Sequence, residues 1–170
     1  MLKVKLPNAE ILHQYIELLD FQQLPCKLQN EAKFPTPKEI AMHCNYFQMK
    51  GPALTPEHFL FIATDIFGKP IKTLKVHIKK DSSLSEIGNK GVNIVNRLAR
   101  SNRPTAYIYI ARWSQNAPIP ATHDIGIAAI LKKVFELFEI VMKDFILFND
   151  NQFFSTVNWA IHENMKNPFK

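Results

Sequence analysis

Two carboxylates with a histidine beside each, Glu57-His58 and His123-Asp124, are the places in this chain where acid–base or metal chemistry would be sought. A carboxylate and an imidazole at one site can move a proton or hold a divalent cation. In a regular strand, however, His58 points to the face opposite Glu57, which argues against a shared centre. The other histidines, His13, His43, His77 and His162, are scattered and read as ordinary surface or core residues. The two cysteines, Cys26 and Cys44, make neither a CxxC pair nor a disulfide framework and are expected as reduced thiols. His43 adjoins Cys44, but neighbours on a helix point about 100° apart, so a Cys–His nucleophile is not supported. GxSxG, P-loop, GxGxxG and HExxH segments are all missing, and five dispersed glycines do not build a phosphate cradle.

Basic residues are the other group with a spacing. Lys69, Lys72, Lys75, Lys79 and Lys80 lie along one stretch, and Arg97, Arg100 and Arg103 follow in the next. On an alternating strand Lys75, His77 and Lys79 share one exposed face. Two readings stand: edge lysines that discourage sheet-to-sheet aggregation, or a stripe that follows a phosphate backbone or an acidic partner. Tyr107 and Tyr109, two apart on a strand, suit base stacking or an ordinary sheet equally well. The chain carries a net charge of +6 and a pI of about 9.3. That balance favours anionic partners only mildly, because no block of five or six like charges occurs and the charge is fairly spread.

The elements that must position these residues follow from pattern. Helix is expected from Asn8 to about Gln22, with Asn8 as cap and Ile11, Tyr15, Leu18 and Leu19 inward. Thr36-Pro37-Lys38-Glu39 is a capping box, opening a helix that Gly51-Pro52 ends. Phe59 to Ala63 is a continuous apolar run, as in a strand buried on both faces. Leu74, Val76 and Ile78 alternate with Lys75, His77 and Lys79, so the two runs form a hairpin about Phe67–Pro70. Ser83 or Ser85 starts a helix with Ile87, Gly91, Ile94, Val95 and Leu98 on one face. A strand over Ala106–Ala111, a loop, and a helix from Thr122 to Phe138 come next, that helix turning Ile127, Ile130, Leu131, Val134 and Phe138 inward. Residues 145–148 and 152–155 form a second hairpin, and a short helix covers Val157–Asn164. Strands interleaved with helices predict an α/β layered fold with a central mixed sheet. Hydrophobic residues make up 46% of the 170, enough for a packed core, and no run of 18 apolar residues would cross a membrane. The N-terminus lacks a signal-peptide run, so a cytoplasmic protein is expected.

That order of elements, with Glu57-His58-Phe59-Leu60, Asp65 and Pro118-Ile119-Pro120-Ala121-Thr122-His123-Asp124-Ile125, resembles the JAB/MPN-type domain of bacterial RadC proteins. The resemblance covers about residues 57–156 and implies a layered α-β-α, cytidine-deaminase-like fold. Residues 1–50 would then be an N-terminal helical extension and 51–170 the RadC-like JAB domain. It also implies a Glu at position 57 as general base, metal-binding histidines at 111 and 113, a Ser at 121 and Asp124 as third ligand. This chain has Ala111, Trp113 and Ala121 at three of those positions, and Phe145 where the family has a further His after Asp144. Alanine has no donor atom, and an indole N–H does not ligate zinc. One carboxylate and a remote Glu do not hold a catalytic zinc. No metal or other cofactor is therefore expected.

The expectation is a non-catalytic JAB-like interaction domain, a pseudoenzyme acting through a protein partner, a second copy of itself or nucleic acid. Glu57 and Asp124 would be vestigial catalytic positions. Trp113, Lys75, Lys79, Arg97 and Arg100 are the candidate binding residues. Trp113 would fill the former metal pocket or project from it as an anchor. The alternatives are a diverged metal-dependent hydrolase of the JAB type and a DNA-binding protein linked to DNA repair.

Overall fold

In a computed structural model, which describes residues 9–19, 34–50 and 54–162, most of the patterned stretches become elements close to where the pattern puts them. In chain order these are α1 (Ala9–His13), β1 (Glu17–Leu18), α2 (Pro37–Lys50), β2 (His58–Thr64), β3 (Pro70–His77) and α3 (Leu84–Leu98). They continue with β4 (Tyr107–Trp113), α4 (Thr122–Leu137), β5 (Val141–Phe148), β6 (Gln152–Ser155) and α5 (Thr156–His162). Local chemistry accounts for the starts. The Glu39 amide donates to Thr36 Oγ1 at 3.1 Å while Glu39 Oε1 accepts from the Thr36 amide at 3.2 Å, the reciprocal pair of a capping box. Ser83 caps α3 by accepting from the Glu86 amide at 3.2 Å.

The strands form one sheet in the order β1-β6-β5-β4-β2-β3. Among the described residues only β4 and β5 pair in parallel, with α4 as their crossover; the other pairs are antiparallel. The protein is thus mixed α/β with a central mixed sheet. Alternation sends Phe59, Phe61, Ile108, Ile110, Phe145 and Leu147 into a core with α3, α4 and α5. Leu60, Ile62, Ala111, Ile146 and Phe148 face the opposite layer, where α2 buries Ile40, Ala41 and Cys44.

Several expectations change, among them that β4 runs on through Arg112 to Trp113 and that β5 begins at Val141 rather than at residue 145. The helix expected over Asn8–Gln22 is five residues long among the described positions, and the chain then pairs along β6, Glu17 with Phe153 and Leu18 with Gln152. The Leu19 amide donates to Asn151 O at 2.8 Å, so a sheet edge claims a segment whose own helix is too short to persist. Leu18 is consequently exposed rather than inward. Asn8 and Asp20–Gln22 lie outside the described residues, as do Cys26 and the segment beyond His162. In α4, Phe135 rather than Phe138 enters the core. The helix stops at Leu137, and Glu139, at φ 60, turns the chain so that Phe138 is left outside.

Candidate functional site

Residue 112 is the charged member of an otherwise apolar stretch of β4, and alternation turns it toward α4 with Ile110. There Arg112 Nη2 donates to Asp124 Oδ2 at 2.8 Å, the side chains being 9% and 1% exposed. The same guanidinium, through Nη1, donates to Trp113 O at 3.1 Å and Pro56 O at 3.3 Å. Asp124 stands at the third position of α4, and its Oδ2 also accepts from the Ala121 amide at 2.8 Å. Ala121 has no side-chain oxygen, so Asp124 supplies the side-chain cap at that end. Oδ1 faces His123 Nε2 at 3.4 Å. The arrangement ties the end of β4, the entry to β2 and the start of α4 into one ionic junction. Chemically it neutralises the carboxylate with a permanently charged donor.

The other sequence-derived positions divide around this junction. Ala111 and Trp113 lie on the opposite face of β4, Ala111 fully buried and Trp113 half-buried against the α2-side core. They therefore do not converge with Asp124 across the sheet. Glu57 sits next to Pro56, whose carbonyl Arg112 holds, but its own carboxylate turns to His77, Oε2 to Nε2 3.6 Å. His58 Nδ1 accepts from the Thr55 amide at 2.9 Å, and its ring lies 5.4 Å from that of His77. Partial burial and then the nearby Lys75 charge lower the affinity of His58 for a proton. His58 and His123 thus belong to different clusters. Among the described residues, no three His, Cys, Asp or Glu side chains come together as a metal-binding group.

Of the basic candidates, Arg97 and Arg100 line one groove with Lys90 and Val76. Lys75 does not, because it lies on the α2 side of the sheet, next in alternation to Thr73, whose Oγ1 is 2.7 Å from His43 Nε2. Lys79 follows the end of β3 and is exposed. Sequence reasoning missed Arg112 and Lys90. For the first, the signal was an arginine directly after the apolar run of residues 106–111, in register with its strand period. The spacing 90, 97, 100, one face of a helix, was the signal for the second.

Asp144, in β5, is the other buried carboxyl with a defined setting. Ser155 Oγ donates to its Oδ2 at 2.5 Å, and the Val157 and Phe145 amides donate to Oδ1 at 3.1 and 2.7 Å. Burial pushes its pKa up to about 7 against the pull of these three donors. It anchors the start of α5 to β5. No protein-family model matches this chain, and no curated protein matches it.

Proposed function

We propose that this protein is a non-catalytic domain of the JAB-like, RadC-like type, a pseudoenzyme that works by binding. One observation carries the reading: the Arg112 guanidinium lies 2.8 Å from Asp124, the carboxylate that the resemblance makes a metal ligand. Oδ1 has no hydrogen-bond partner, but a cation bound there would sit within a few ångströms of the buried guanidinium, and like charges that close in a poorly screened site repel. Supporting it, the succession of hairpin, helix, strand, loop, helix and hairpin runs in the order that the resemblance implies.

The test is the metal content of purified protein by elemental analysis, with a calorimetric zinc titration of the parent and of Asp124→Ala. No uptake at micromolar free zinc by either form is the expected result. Near-stoichiometric metal that is lost in Asp124→Ala would overturn the proposal and favour the diverged hydrolase.

A further inference from the structure

The expectation of a fairly spread charge is corrected when the excess, rather than the charges themselves, is located along the chain. Residues 69–100, which contain β3 and α3, hold eight Lys and Arg against two acidic residues, Asp81 and Glu86. That stretch alone accounts for the whole net charge of +6, and the remaining 13 basic and 13 acidic residues cancel. Lys90, Asn93 and Arg97 of α3 and Arg100, in the turn just past its end, fall at intervals that keep one side of the helix. They line a groove of about 490 Å³ between α3 and the edge strand β3, with Asn96 beside them and Val76 at the strand side. Arg97 and Arg100 are exposed, and none of the three cations has an ion-pair partner among the described residues.

We infer that this groove binds the phosphate backbone of a nucleic acid. The stripe from Lys90 to Arg100 is roughly 15 Å long at 1.5 Å per helical residue. At about 3.4 Å per charge along one strand, that length meets about four phosphates. Cations interleaved with amide side chains are what phosphate and sugar oxygens require as donors. A protein partner would call for an apolar or aromatic anchor at the centre of the surface. The groove has no aromatic lining, its apolar lining is Val76 and the buried Ile94, and nucleic-acid interfaces are the more polar and more basic kind. Lys72, Lys79 and Lys80 add a long-range field that draws a polyanion to this side. The inference names a partner for the binding role proposed above but does not depend on Asp124, so the metal assay and the following one fail separately.

Fluorescence anisotropy with labelled 20-mer duplex and single-stranded DNA, between 50 and 200 mM salt, tests it. Three neutralised phosphates give a log–log salt slope of about −2.7 for duplex, a loss of about 40-fold over that range. The variant K90Q/R97Q/R100Q, with its circular dichroism spectrum checked against the parent, is expected to lose this binding. K38Q/K132Q/K133Q, which removes the same charge elsewhere, is expected to keep it. Undetectable DNA binding at 50 mM salt, or equal binding by K90Q/R97Q/R100Q, overturns the inference. So does competition by polyglutamate as effective as that of DNA at equal charge, which would point to an acidic protein instead.

Discussion

Replacing Asp124 by alanine would leave the Arg112 guanidinium buried with its charge unmatched. The two side chains are 9% and 1% exposed, so solvent does little to compensate. Loss of one partner from such a pair costs about 3–5 kcal/mol. The cap on the Ala121 amide goes as well, worth about 1 kcal/mol. Against this, the guanidinium keeps the Pro56 and Trp113 carbonyls as acceptors. The net expectation is a loss of about 3–4 kcal/mol. At about 2–4 °C per kcal/mol for a chain of this size, the melting temperature would fall by roughly 6–16 °C. Urea unfolding followed by circular dichroism measures it, with an unchanged slope showing that the denatured state is not the cause. The double variant R112M/D124L, which removes both charges, should be closer to the parent than the sum of R112M and D124L predicts, with a coupling of about 2 kcal/mol or more. A cost below about 1 kcal/mol for Asp124→Ala, or strict additivity in the cycle, would refute the claim that this ion pair organises the junction.

Asp144 gives a pH signature. Its carboxyl titrates at about 7 in the folded protein and near 3.9 when unfolded, so between those values the folded state binds more protons. Stability therefore falls as pH rises from about 4 to about 7 and levels off above, by on the order of 4 kcal/mol. The stability of Asp144→Asn relative to the parent should climb across that window in chemical denaturation at several pH values, and a flat difference would contradict the assignment. Cys44 is fully buried and its thiol pKa is raised by that burial. In a C26S background Cys44 should stay unreactive to Ellman's reagent in native buffer and react on unfolding; rapid native labelling would show the α2 layer to be open. At Gly91 a Cβ would lie 2.9 Å from Val134 Cγ1, so Gly91→Ala should lose stability despite its better helix propensity. Expected is a loss of about 1 kcal/mol, relieved in G91A/V134A; no loss in G91A would mean that α3 and α4 sit further apart.

What could be read from the sequence was what neighbours in the chain decide. The Thr36–Glu39 box and the Ser83 cap depend on groups three residues apart, and both form as expected. The α3 face of Ile87, Gly91, Ile94, Val95 and Leu98 is buried as its spacing indicates. Where a segment is apolar on every side, spacing loses its power to choose, and α4 placed Phe135 inward instead of Phe138. β1 was illegible because its partner is β6, at the far end of the described chain. The Arg112–Asp124 pair was hidden for a related reason. The two residues are twelve apart in sequence, and only the crossover from β4 through α4 brings them together. The charge of residues 69–100 was visible as a list of cations, but which of them share a groove depended on which side of β3 each occupies.

The pairing of Glu17 with Phe153 bears on how the molecule assembles. The β2–β3 and β5–β6 hairpins need only short loops to close, and β4 with α4 adds the crossover between them. The β1–β6 contact must wait until nearly all of the intervening chain is in place, because its closure entropy is gained back by only a few bonds. It should accordingly form last and open first. The Leu19 amide, bonded to Asn151 O, would then exchange with solvent through a local opening, while amides of β4 exchange only when the whole domain unfolds.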